Sequence, residues 1–110
     1  MYARIARFEG GDPATLDEQI ADMRRQLDGA AAGELPDEAP DEVRTLMETV
    51  ARFTQFVDRE SGTSVGITWC ETEDEMRRAD EALNRMSPGQ DGGSRTGVDI
   101  LEVAIDKSFR

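Results

Sequence analysis

The chain has no histidine, and that absence removes more chemistry than any residue present adds. Without imidazole there is no Ser-His or Cys-His nucleophile pair, no histidine metal ligand and no proximal haem histidine. Any general acid or base must be a carboxylate, Tyr2, Cys70 or Lys107. Cysteine occurs once, so no internal disulfide forms, which suits a reducing compartment. Lysine also occurs once, at Lys107, so the positive charge is nearly all arginine. Aromatic residues make up 5% of the chain, and no apolar run approaches the roughly 20 residues a membrane helix needs. The amino-terminal MYARIARFEG lacks the long apolar segment of a secretory leader, so the expected location is the cytoplasm. Neither GxxxxGK[ST] nor GxGxxG appears, and GQDGGSRTG at 89–97 has no lysine and no strand before it. No metal and no cofactor is expected.

What is present is acidic. The net charge is −11, which argues against nucleic acid and anionic membrane as partners, since both are bound by surplus Lys and Arg. The 110 residues fit one domain, and 37% hydrophobic against 34% charged content is globular.

Periodicity then divides the chain. YARIARFE at 2–9 alternates, with Tyr2, Arg4, Ala6 and Phe8 on one side, and predicts a strand. Asp12 followed by Pro13 predicts a helix start, Leu16, Ile20, Met23 and Leu27 form its apolar stripe, and Gly29 is its expected end. GAAAGELPDEAPDE at 29–42 reads as a linker insertion, with Pro36 and Pro40 forbidding a continuous helix. A short helix is expected in DEVRTLMETV, with Val43, Leu46 and Met47 inward. A strand over 50–58 places Phe53 and Val57 on one face and Arg52 and Phe56 on the other. RESG is a turn in which Gly62 takes positive φ, and 64–70 returns as the third strand of a hairpin.

WCETEDEM at 69–76 sets the only tryptophan and the only cysteine beside four carboxylates. Helix initiation accounts for those acids. Thr72-x-x-Glu75 is a capping box, and Glu73, Asp74 and Glu75 meet the positive end of the helix dipole. Met76, Ala79, Leu83 and Met86 continue the stripe until Ser87-Pro88-Gly89. The segment 87–97 is an expected flexible loop, and VDILEVAI at 98–105 an expected fourth strand, apolar on both faces.

Strand, helix, strand, strand, helix, strand is the ferredoxin-like βαββαβ order of an α+β protein. It implies a four-stranded antiparallel sheet with two helices on one face. The other face is expected to be polar, yet Val65, Ile67 and Trp69 alternate with Gly66, Thr68 and Cys70, and strand four is apolar throughout. Two copies packing sheet on sheet would cover that surface, so a homodimer is expected.

YARIARFEG, FVDRESGTSVGITWCETEDEMRRADEALNRM and VDILEVAID resemble, across nearly the whole chain, the dimeric α/β-barrel superfamily. The narrower likeness is to the small bacterial proteins of the antibiotic-biosynthesis-monooxygenase-like group. The resemblance implies a homodimeric α/β barrel with a pocket between sheet and helices, and relatives that include cofactor-free oxygenases of polyketide quinones and haem-degrading enzymes. It also implies a pocket tryptophan just before a Glu-Thr pair. Here Cys70 stands there and Trp69 one place earlier, which on a strand is the opposite face. The asparagine and histidine of the haem-degrading members have no counterpart on strand one or anywhere, respectively.

Tyr2, Arg52, Thr68, Trp69 and Cys70 are the ligand-binding candidates, with no catalytic residue assigned. Trp69 either fills a dimer core or stacks on a ligand; Cys70 is either an inert buried residue or a nucleophile. Arg4, Arg7 and Arg52 each require a carboxylate, a ligand anion or solvent, with Glu102 the expected carboxylate partner. Two functions follow. One is a dimeric pocket protein that binds, or oxygenates without a cofactor, an aromatic or polyketide-like molecule. The other is a non-catalytic, stress-associated or interaction protein whose dimer is the functional form.

Overall fold

The computed structural model describes residues 1–34, 38–86 and 94–110. Strand β1 (Tyr2–Glu9) leads to α1 (Leu16–Ala31), α2 (Asp41–Thr49), β2 (Arg52–Val57), β3 (Ser64–Cys70), α3 (Glu73–Arg85) and β4 (Ser94–Glu102). The strands form one antiparallel sheet in the order β2-β3-β1-β4. Among the described residues three helices accompany it: α2 is the short helix expected in DEVRTLMETV, and it adds a third to the two expected of the ferredoxin-like unit.

Cross-strand register divides the side chains between two faces. Phe53, Thr68, Arg4 and Ile100 stand opposite one another in one row, and Gln55, Gly66, Ala6 and Val98 in the next. These point toward the helices. Arg52, Trp69, Ala3 and Leu101 form a row on the other face, which no helix covers, followed by Thr54, Ile67, Ile5 and Asp99.

The buried core is small and lies at one end of the helix face. Cys70, Met76 and Ala79 are its centre, with Tyr2, Leu46 and Val50 packed against them. Strands β1 and β3, helix α3 and, through Leu46, helix α2 all contribute. Helix α2 packs on α3 rather than on the sheet. Helix α1 packs only loosely, and none of its residues is buried.

Helix α3 begins at the expected Thr72 cap, with the Glu75 carboxylate meeting the Thr72 hydroxyl in place of the backbone amide that a capping box uses. The Glu75 amide donates to Thr72 Oγ1 at 3.1 Å, and the Thr72 hydroxyl donates to Glu75 Oε1 at 3.0 Å. Helix α1 differs at both ends. Asp12 caps a turn instead, accepting from the Ala14 amide at 2.9 Å, and α-helix starts at Leu16. The helix passes through Gly29 and stops where Gly33 adopts φ +78°, with the Gly33 and Glu34 amides closing on the Ala30 and Gly29 carbonyls. A left-handed residue ends the ladder, and Gly33 takes that conformation where Gly29 remains helical. The expected linker is correspondingly shorter, since 29–31 belong to α1 and 41–42 to α2, while Pro36 lies outside the described residues.

Gly62 closes the β2–β3 turn at φ +75°, its amide bonded to the Asp58 carbonyl at 3.0 Å. A Cβ there would strike the Gly11 carbonyl oxygen, so this glycine also lets the β1–α1 connection lie against the hairpin. Strand β4 is displaced from its expected span. It begins at Ser94 because β1 reaches Glu9, with a bulge opposite Arg7 and Phe8. It ends at Glu102, and the Val103 amide makes a last bond to the Met1 carbonyl at 2.9 Å, where its partner strand runs out. Of the expected loop at 87–97, residues 94–97 are therefore strand, and 87–93 lie outside the described residues. No helix among the described residues is long and apolar enough to cross a membrane.

Candidate functional site

The five candidate residues do not form one site. Tyr2, Thr68 and Cys70 point to the helix face, and Arg52 and Trp69 to the open face. Cys70 is fully buried against Met76 and Ala79, Tyr2 packs on the same cluster, and Thr68 is buried within the sheet. Burial pushes the Cys70 thiol above its ordinary pKa, and the nearby Glu75 carboxylate adds to the shift. A thiol so placed is protonated near neutrality and has no activating cation, which is the setting of a packing residue rather than a nucleophile.

On the open face the Arg52 guanidinium lies 5.9 Å from the centroid of the Trp69 ring, within cation–π range. The Trp69 Nε1 is buried and has no acceptor among the described residues. A buried indole N–H left unpaired costs about 1–3 kcal/mol.

The strand arginines are satisfied differently from expectation. Arg4, 4% exposed, points to α3 and donates from Nε to Asp80 Oδ1 at 2.8 Å and from Nη2 to Asn84 Oδ1 at 3.1 Å. Asp80, not Glu102, is its carboxylate, because Arg4 faces the helices whereas β4 offers it Ile100 as neighbour. Asn84 also accepts from Arg95 Nη1 at 2.8 Å, which ties β4 into the cluster. Arg7 is exposed. The network gives a buried cation its counter-charge from within the fold.

Open space borders a different part of the sheet. Helix α1 stands off β2 across a cleft of about 400 Å³, lined by Ile20, Met23, Arg24 and Leu27 on one side and Phe53, Gln55, Val57 and Arg59 on the other. That volume falls in the range of small-molecule sites. The cleft exists because the apolar stripe of α1 faces a strip of β2 that it does not touch closely. Phe53 leans over Gly66, whose missing side chain leaves the ring room against the sheet. Arg59 donates to Asp17 Oδ1 at 2.7 Å across the cleft mouth. Arg24 makes no ion pair among the described residues. A second, polar groove of about 140 Å³ between α2 and α3 is lined by Asp41, Thr45, Arg78 and Arg85 among others. Among the described residues no group of three or more acidic or cysteine side chains is placed to hold a metal ion.

Arg24, Gln55 and Arg59 went unmarked in the sequence. Their signal was indirect: the stripe Ile20, Met23, Leu27 and the β2 pair Phe53, Val57 are both inward, so their polar neighbours border whatever lies between. A scan of the chain against protein-family models finds no match, and a search of curated proteins finds no relative.

Proposed function

We propose that this protein is a small-molecule-binding α+β protein that takes an apolar ligand between α1 and β2 and works as a homodimer. The observation that carries the reading is the cleft of about 400 Å³ with Ile20, Met23 and Leu27 facing Phe53 and Val57. Two apolar walls held apart leave surface in water that a ligand would cover, at about 25 cal/mol for each Å² removed from solvent. Among the described residues the lining offers no carboxylate, thiol or phenol to move a proton, so the reading is binding rather than the oxygenation that the family resemblance suggests.

Two observations support the dimer. The open sheet face carries Phe56 and Leu101 more than half exposed, and beyond β4 the side chains of Ile105 and Phe109 are 86% and 91% exposed. A partner sheet would cover this surface. The sheet order β2-β3-β1-β4 we read as a ferredoxin-like unit to which α2 has been added, in keeping with the dimeric α/β-barrel resemblance.

The test is chemical-shift mapping with 2-naphthol as the apolar probe. The expected result is saturable shifts at the Ile20, Met23, Leu27 and Val57 methyl groups and the Phe53 ring, abolished by Leu27→Asp. Shifts confined to the Trp69 face, or none, would overturn the cleft as the site.

A further inference from the structure

We propose that the α1–β2 cleft selects a carboxylate with an apolar body, its anionic head held by Arg24 and Arg59. The proposal rests on the cleft being a ligand site and adds the charge of what enters it. A chain of net charge −11 places two arginines, and among the described residues no acidic side chain, in the lining of this cleft. One comes from the middle of α1 and the other from the turn just after β2, 35 positions apart, so the fold and not local sequence brings them to one space. Arg24 is exposed and without an ion pair among the described residues. Arg59 is occupied by the Asp17 carboxylate, but both side chains are mostly exposed, at 62% and 82%. Such a pair is weak and exchanges readily for a better anion.

Asp17 is therefore an internal competitor, a carboxylate standing where a ligand carboxylate would bind. Gln55 in the cleft wall is a further neutral hydrogen-bonding group, able to accept or donate. Guanidinium–carboxylate pairing is planar and two-pronged, which favours a carboxylate over a halide or a lone hydroxyl. The apolar body would lie along the Ile20–Leu27 stripe, two turns of helix or about 10 Å long. That length suits a bicyclic aromatic or a short acyl chain.

The experiment is calorimetric titration at neutral pH of the full chain with 2-naphthoate and with its neutral amide. The expected result is a carboxylate preference of roughly three- to tenfold, lost in the double variant Arg24→Gln/Arg59→Gln while amide binding is retained. Asp17→Asn is expected to raise naphthoate affinity and leave the amide unchanged. All three positions are exposed, so circular dichroism should report an unaltered fold. Equal binding of acid and amide, a preference that survives the double variant, or no gain in Asp17→Asn would each overturn the carboxylate proposal while leaving the cleft a ligand site. Binding of neither compound would overturn the proposal and the cleft reading together.

Discussion

At the scale of single residues, the chain's rarest side chains are held by packing. Trp69 and Cys70 are adjacent, and strand geometry alone sends them to opposite faces, so they cannot share a site. That much was legible before any fold was known. What the alternation did not reveal was how completely Met76 and Ala79 would close over the thiol. The consequence is measurable as linkage. The folded thiol keeps its proton to higher pH than the unfolded one, whose pKa is about 9.0. Its contribution to stability is whole below that value and is lost as pH rises toward the folded pKa. Urea unfolding between about pH 8 and pH 10 should show stability falling by at most about 1.4 kcal/mol per unit from this group, and Cys70→Ala should lack that part of the slope.

At the scale of elements, α3 is fixed to the sheet and α1 is not. The difference lies in what each presents to the strands. Helix α3 buries Met76, Ala79 and Ala82, small or pliant residues that let it approach closely, and its Asp80 neutralises Arg4. Helix α1 brings the longer Ile20, Met23 and Leu27 to a strip of β2 already occupied by the Phe53 ring. The Arg4–Asp80 pair therefore joins β1 to α3. Asp80→Ala should leave a buried cation unpaired and cost toward the lower end of about 3–5 kcal/mol, since Asp80 retains a quarter of its exposure. Adding Arg4→Met to that variant should recover most of the loss in urea unfolding; an additive double variant would show that the pair is not the link. Element types were readable from periodicity and caps, most sharply at Thr72 and Gly62. The partner of Arg4 was not, because Asp80 is 76 positions away and only docking of α3 brings it near.

At the scale of the whole molecule, the sheet is covered on one side. Its other side mixes half-buried Trp69, Ile67, Val65 and Ile5 with exposed Phe56 and Leu101. Sheet-on-sheet self-association gives a direct expectation. Sedimentation at micromolar concentration should give twice the 12.2 kDa chain mass, and the double variant Phe56→Asp/Leu101→Asp should give one chain mass with helix content intact. A wild-type protein sedimenting as a single chain would refute the dimer.

Strand alternation, helical stripes and turn chemistry depend on neighbours within a few positions, so strands β1 to β3, the Thr72 cap of α3 and the opposed faces of β3 were settled by the order of residues alone. The same holds for what the missing histidine forbids. The span of β4, in contrast, depended on its pairing with β1. Tertiary structure decided which surfaces meet and which remain apart: that Asp80 serves Arg4, that Cys70 is sealed, and that α1 leaves a cleft bordered by Arg24 and Arg59. These depend on side-chain volumes at contacts distant in sequence, and a local pattern carries no record of that distance.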